Sequence, residues 1–143
     1  MSLYMTKIKQ ENLIDEKNID LKTIANDCIY STEEIVVGKW LNKPLYRRVI
    51  PFTVAKQYSE GNYNTYFVRD NAFLNIETLV KNIFKFRRSD SGQAFSSDGD
   101  STICQTSWNG GNTIYANWNK AIADSAIIGT TAYMVLEYTK TTD

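Results

Sequence analysis

The sequence predicts an all-β protein: an antiparallel, jelly-roll-like β-sandwich with a short N-terminal arm or helix. Two observations indicate this fold. Short runs of β-branched and aromatic residues recur through residues 30–143, and turn-forming residues separate them at intervals of roughly eight to twelve residues, as in known sandwiches. The chain of 143 residues has the length of a single domain. We therefore divide it into an arm, residues 1–29, and a head domain, residues 30–143.

The arm differs from the rest of the chain in composition. It is rich in lysine, aspartate, asparagine and glutamate and contains few aromatic residues. Leu21, Ile24, Ala25 and Cys28 follow one another at the spacing of one face of a helix. Asp20, directly before them, is then a candidate N-cap. Ile19 and Leu21 also alternate as they would in a strand, so a helix and an extended arm both fit the sequence. We expect this segment to need a partner surface, because it has little apolar area to bury by itself.

A β-hairpin is predicted at the start of the head domain. Residues 36–41 include β-branched and aromatic side chains, residues 42–44 form the turn because the proline there fixes φ, and residues 45–54 alternate at period two. Pro51 lacks an amide hydrogen, which places the second strand at a sheet edge or at a bend. Together with the last strand of the chain, this hairpin supplies the predicted core: Val36, Trp40, Tyr46, Ile50, Phe52, Met134 and Leu136.

The remaining strands are short and are separated by polar or glycine-rich segments. We predict strands at residues 66–68, 79–88, 103–106, 113–118 and 131–138, the second of them after at most one helical turn. Loops are predicted at residues 57–64, 89–101 and 119–129, and a glycine turn at residues 108–112. The last strand is apolar on both faces, so both faces need a cover, either inside the sandwich or from a neighbouring subunit.

Composition excludes several classes of function. The chain has 16 basic and 16 acidic residues, so its formal net charge is zero, and general binding to nucleic acid or to an anionic membrane is not expected. No apolar run approaches the length of a membrane span, and no signal peptide is recognisable at the start. Cys28 and Cys104 are expected to be free and buried thiols, with a disulfide between them as the alternative.

The sequence offers little to an enzyme. It contains no histidine, which removes the usual general base at neutral pH and the commonest metal ligand. Glu33 and Glu34 are adjacent, so on a strand they point to opposite faces and do not flank one substrate. The loop around Asp98 and Asp100 lacks the closing glutamate of a calcium loop. We predict no catalytic residue, no metal site and no cofactor.

Aromatic residues near the glycine turn form the candidate ligand site. An exposed aromatic ring stacks on a sugar ring, and nearby amides bond to the sugar hydroxyl groups. On this basis the predicted carbohydrate-binding residues are Trp108, Asn109, Asn112, Tyr115 and Trp118. The alternative is that the tryptophans only pack against their neighbours across the hairpin.

Three segments resemble landmarks of small phage and prophage tail proteins. Residues 30–48 contain YSTEEIVVGKW and then KPLYRR, residues 73–80 read FLNIETLV, and residues 131–143 read TAYMVLEYTKTTD. The resemblance implies a non-catalytic virion protein of the tail-fibre, baseplate or receptor-binding class, made in the bacterial cytoplasm. It further implies a β-sandwich head that forms homotrimers. The resemblance does not cover residues 1–29, but a neck joined to other tail proteins would suit this arm. Attachment to a host-surface glycan is predicted from the aromatic residues near the glycine turn.

Two other functions fit parts of the sequence. A stand-alone carbohydrate-binding module would use the same aromatic residues but would act as a monomer outside any particle. A tail-associated depolymerase would need two carboxylates about 5 to 10 Å apart in a cleft, and few acidic residues lie on the predicted strands.

Overall fold

The computed structural model describes residues 28–143, so the predicted arm lies almost wholly outside the described residues. The strands are β1 (Ile35–Trp40), β2 (Lys43–Thr53), β3 (Tyr58–Glu60), β4 (Tyr63–Arg69), β5 (Ile76–Arg87), β6 (Ala94–Ser96), β7 (Cys104–Trp108), β8 (Thr113–Asn119) and β9 (Thr131–Lys140). A five-stranded sheet has the order β1-β2-β9-β5-β6, and a four-stranded sheet has the order β3-β4-β8-β7. All neighbouring strands are antiparallel and the two sheets pack together, which confirms the predicted β-sandwich.

The chain alternates between the two sheets. It passes across the sandwich from β2 to β3, from β4 to β5, from β6 to β7 and from β8 to β9, a jelly-roll-like path. As a result β2 and β9, from opposite ends of the domain, are neighbours, with Tyr46 opposite Tyr138 and Thr53 opposite Thr131. Since β9 also pairs with β5, the last strand of the chain lies in the middle of the five-stranded sheet.

The hairpin between β1 and β2 turns slightly earlier than the sequence predicted. Leu41 and Asn42 occupy the turn with φ angles of 47° and 67°, the left-handed conformation of a two-residue type I′ turn. Pro44, which was expected in the turn, already belongs to β2. β2 accommodates this proline because β9 pairs with β2 only from Tyr46 onwards, so Pro44 has a single neighbouring strand.

Pro51 lies where β2 has a neighbour on one side only, although β2 as a whole is an inner strand of the sheet and not the edge strand that the proline suggested. β1 pairs with β2 only as far as Arg47. Beyond this point the Val49 amide donates to the carbonyl of Ser31 at 2.8 Å. Because alternate residues of a strand direct their amides to the same side, the missing amide of Pro51 is on this side too. The proline therefore removes no hydrogen bond to β9.

Several predicted loops contain short regular elements. The predicted loop at residues 57–64 holds β3 and the first residues of β4, and the one at residues 89–101 holds β6. A 3-10 helix, Asn71–Asn75, precedes β5, and a four-residue helix, α1 (Asp124–Ile127), lies before β9. In the described part of the chain, no helix is long and apolar enough to cross a membrane.

The core lies between the sheets and is built from alternate residues of the strands. Met134 and Leu136 are buried there, and Tyr46, Ile50 and Phe52 are half-buried against the same cluster, as predicted. The largest fully buried side chains include those of Trp118, Phe73, Phe84, Ile114, Ile127, Met134 and Leu136.

Val36 and Trp40 are not core residues, contrary to the prediction. Their exposed fractions are 37% and 41%. Both belong to β1, which is an edge strand of the five-stranded sheet. An edge strand has the same composition and alternation as an inner strand, but a neighbour covers it on one side only.

Both cysteines are free thiols, as predicted, but only one of them is buried, whereas both were expected to be. Cys28 is exposed and Cys104 is buried. Burial raises the pKa of Cys104 to about 11, so this thiol is protonated and poorly nucleophilic at neutral pH.

Candidate functional site

The outer face of the four-stranded sheet is the candidate site, and strand alternation decides which residues form it. On β8, Ile114, Ala116 and Trp118 point into the core, so Tyr115 and Asn117 point outwards. Ten of the outward residues of the four strands form one surface, here called the groove face: Tyr58, Glu60, Tyr63, Thr65, Phe67, Arg69, Gln105, Ser107, Tyr115 and Asn117. All of these except Phe67 and Arg69 line a cavity of about 400 Å³.

Strand pairing arranges the groove face in rows. Thr65 lies opposite Asn117, which lies opposite Gln105, and these three residues form a polar row across three strands. In the adjacent row Phe67 lies opposite Tyr115. Polar and aromatic side chains therefore alternate along the strands and present both kinds of contact to one ligand.

Three aromatic rings run across the groove face. The ring centroids of Tyr58 and Phe67 are 5.5 Å apart, and those of Phe67 and Tyr115 are 5.0 Å apart. The backbone amide of Phe67 also donates to the side-chain carbonyl of Gln57, which ties the segment before β3 to β4. Because each ring is held by its neighbour, a ligand would meet a preformed apolar platform.

The polar row keeps some of its hydrogen-bonding groups free. Thr65 Oγ1 donates to Asn117 Oδ1 at 2.6 Å, and Gln105 Nε2 donates to the Tyr63 hydroxyl at 3.2 Å. Within residues 28–143, the Asn117 amide nitrogen and the Gln105 carbonyl oxygen have no side-chain or backbone partner. The cavity thus has a positioned donor and a positioned acceptor available to a ligand.

The cavity carries little charge. Among the described residues that line it, Glu60 is the acidic one, and none is basic. Residues 28–143 contain no group of three or more cysteine, aspartate or glutamate side chains placed to hold a metal ion. The cavity therefore offers ring stacking and neutral hydrogen bonds, which is the chemistry that recognises sugar rings.

The predicted ligand-binding residues do not form one site. Tyr115 lies on the groove face. Trp118 is 0% exposed and belongs to the core, so its assignment to a binding surface is wrong. Trp108 lies opposite the buried Ile114 and therefore faces the interior side of the sheet. Its indole nitrogen donates to the carbonyl of Gly111 at 2.7 Å, as the packing alternative anticipated.

Asn109 and Asn112 lie in the turn between β7 and β8. The carbonyl of Asn112 accepts a hydrogen bond of 3.0 Å from the Asp70 amide, and its side-chain oxygen accepts one of 3.1 Å from the Thr113 hydroxyl. Gly110, with a φ of 87°, allows the chain to reverse. These contacts stabilise the hairpin, and the turn lies at the end of the groove face.

Sequence reasoning missed most of the groove face, including Tyr58 and Tyr63. Both lie in a segment assigned to a loop, because β3 is only three residues long. One signal was available: Tyr115 and Trp118 are three positions apart, so on one strand they point to opposite faces. The pairing of β4 with β8, which brings Phe67 beside Tyr115, had no local signal.

No protein-family model, curated protein or solved structure matches the chain. The function is therefore inferred from the groove face and from the sequence landmarks.

Proposed function

We propose that this protein is a non-catalytic virion protein of a phage-like tail and that its groove face binds glycan on the host surface. The observation that carries the binding proposal is the row of three aromatic rings beside amides with free hydrogen-bonding groups. Such rings stack on sugars and such amides bond to sugar hydroxyls. The landmarks at residues 30–48, 73–80 and 131–143 support the assignment to the tail-fibre, baseplate or receptor-binding class.

The path of the chain supports an outward-facing groove face. Arg47 lies on the outer face of the five-stranded sheet, where its guanidinium carbon is 4.2 Å from the Tyr30 ring centroid. The same side chain donates to the carbonyl of Ile29 at 3.3 Å. The chain thus reaches the domain on this side, and the groove face is on the opposite side of the sandwich. An arm joined to other tail proteins would leave the groove face turned away from the particle.

Binding suits the cavity better than hydrolysis does. Glycoside hydrolases place two carboxylates roughly 5 to 10 Å apart, and Glu60 is the one acidic residue among the described residues lining the cavity. The sequence contains no histidine to act as a base. We therefore propose recognition of the glycan without bond cleavage and without a cofactor.

We also propose that the domain forms a homotrimer through the outer face of the five-stranded sheet. Tyr30 and Tyr133 are exposed there, and with Val49, Ile83 and Val135 they form the apolar part of a groove of about 430 Å³, whose lining also includes Lys81, Lys85 and Asp98. The apolar part of the groove calls for a cover, and the charged residues beside it would lie at the rim of an interface. Light scattering tests this proposal: a single species of 16.4 kDa at micromolar concentration would reject it, and Tyr133→Glu should dissociate a trimer.

The groove face also favours a second function, a stand-alone carbohydrate-binding module. The two candidates share the ligand but differ in assembly. A protein that binds glycan as a strict monomer and never incorporates into particles would be a module and not a tail component.

A glycan array tests the binding proposal. The wild-type protein should bind a restricted set of glycans, and Tyr115→Ala should weaken binding by about 1–3 kcal/mol, the range for stacking of bases on aromatic rings. Trp40→Ala is the matched control, because Trp40 is an exposed aromatic residue on the edge strand β1 of the other sheet. Equal binding by wild type and Tyr115→Ala, or no binding to any glycan, would contradict the proposal.

A further inference from the structure

Arg69 is a cation at one end of the groove face that has no ionic partner among the described residues. It is the last residue of β4, it is exposed, and its guanidinium carbon lies 5.6 Å from the Phe67 ring centroid. Within residues 28–143 it makes neither an ion pair nor a side-chain hydrogen bond. By contrast, Arg48 and Arg88 pair with carboxylates at 3.3 Å and 2.7 Å.

The opposite end of the groove face carries a negative charge. Glu60 lies opposite Tyr63, the first residue of β4, and has no ion-pair partner within the described range. Tyr63 and Arg69 are six residues apart on one strand, which corresponds to roughly 20 Å at the rise of a β-strand. The groove face is therefore long and polar, with an acid at one end, a base at the other, and rings and amides between them.

The position of Arg69 suits an anionic group on a ligand that is already stacked on the rings. Contact with the Phe67 ring orients the guanidinium, and its planar fork binds a carboxylate or a phosphate through two hydrogen bonds. Binding such a group breaks no existing ion pair of Arg69. The length of the face indicates several sugar units and not a single one.

Building on the proposed function, we infer that the ligand is an extended acidic glycan whose carboxylate or phosphate binds Arg69 while its sugar rings stack on Phe67 and Tyr115. The acidic group gives the glycan a fixed direction on the face, because Glu60 repels it from the other end.

The experiment compares acidic glycans with their neutralised counterparts. An array holds neutral, uronate-bearing and phosphate-bearing oligosaccharides, and every glycan that binds is titrated again after reduction of its carboxylate or enzymatic removal of its phosphate. Wild type should bind the acidic form at least about 10-fold more tightly, as expected for a charge-assisted hydrogen bond. The uronate and phosphate arms identify which acidic group is recognised.

Variants of Arg69 and Glu60 show which end of the groove face causes the preference for the acidic form. Arg69→Gln should lower the affinity for the acidic form to that for the neutral form, so that the preference disappears. Arg69→Lys should retain only part of the preference, because lysine keeps the charge but lacks the fork. Glu60→Gln should change the affinities for the acidic and the neutral form by the same factor, so that the preference for the acidic form stays, since Glu60 lies beyond a Debye length from the acidic group at physiological salt.

The outcomes separate this inference from the proposed function. Equal affinity of wild type for acidic and neutral forms, or no effect of Arg69→Gln, overturns the inference and leaves glycan binding standing. Binding that depends on Arg69 but is unchanged in Tyr115→Ala overturns the proposed function, because it shows simple charge attraction. Binding to no glycan overturns both.

Discussion

The two outer faces of the sandwich arise from the same strand alternation but carry different chemistry. On the five-stranded sheet, Arg47 and Glu137 form an ion pair of 3.1 Å whose side chains are only 4% and 10% exposed, and the chain around Tyr30 covers it. On the four-stranded sheet, aromatic rings and amides stay open, with hydrogen-bonding groups unused by the described residues. The difference indicates that one outer face stabilises the domain and that the other is available to a ligand.

The largest effect should come from breaking the ion pair on the five-stranded sheet. Arg47→Ala leaves the buried Glu137 with only the half-exposed Lys81 beside it, at 3.7 Å, so the free energy of unfolding should fall by about 3–5 kcal/mol. Urea denaturation measures it. The control is Arg69→Ala, which removes an exposed arginine from the groove face and should change stability by less than about 0.5 kcal/mol. Similar losses for both arginines would remove the contrast between the two faces.

Truncating a core residue on the inner face of β9 should lower the free energy of unfolding almost as much. Leu136 is 1% exposed, and Leu136→Ala should cost about 2–5 kcal/mol, the usual range for truncation of a buried leucine. Leu74→Ala provides the matched control, because Leu74 is 57% exposed. A loss below about 1 kcal/mol for Leu136→Ala would show that the inward face of β9 is assigned wrongly.

The smallest change in stability is expected at alkaline pH, from the contact between Tyr46 and the C-terminal residue Asp143. The Tyr46 hydroxyl donates to Asp143 at 2.6 Å, and this hydrogen bond raises the pKa of Tyr46 from 10.0 to about 12. Burial and the contact with Glu34 raise the pKa of Tyr138 as well. The folded protein therefore holds these protons more tightly than the unfolded chain does.

The folded domain should become less stable at alkaline pH. The stabilisation that the protonated Tyr46 hydroxyl provides is complete below pH 10 and is lost as the pH rises through about 12. The urea midpoint should fall between pH 9 and about pH 11, and Tyr46→Phe should show a smaller fall because it has no proton to lose. Equal falls in wild type and Tyr46→Phe would show that the contact with Asp143 contributes nothing.

Strand pattern predicted the fold class and most of the elements. The long strands β2 and β9 alternate clearly, and both were placed within a few residues of their observed bounds. The three-residue strands β3 and β6 were missed, because so short a segment shows no periodicity. Val36 and Trp40 were placed in the core because alternation does not reveal that β1 is an edge strand.

The candidate site was harder to predict than the fold. Tyr115, which was predicted to bind the ligand, points outwards, but proximity in sequence grouped it with Trp108 and Trp118, which point to the other side of the sheet. Its actual neighbours, Phe67 and Tyr58, are distant in sequence and are brought together by strand pairing. Pairing between distant strands depends on the whole fold, and no local pattern indicates it.

The most direct test of the groove face compares two aromatic residues of one hairpin that point to opposite sides of the sheet. The best glycan from the array is titrated against Tyr115→Ala and Trp108→Ala, and the unfolding free energy of each variant is measured alongside. Tyr115→Ala should weaken binding by about 1–3 kcal/mol with stability nearly unchanged. Trp108→Ala should leave binding unchanged and lower stability by about 1–3 kcal/mol, less than for a fully buried tryptophan. The reverse pattern, with binding lost in Trp108→Ala and retained in Tyr115→Ala, would contradict the assignment of the groove face as the glycan site.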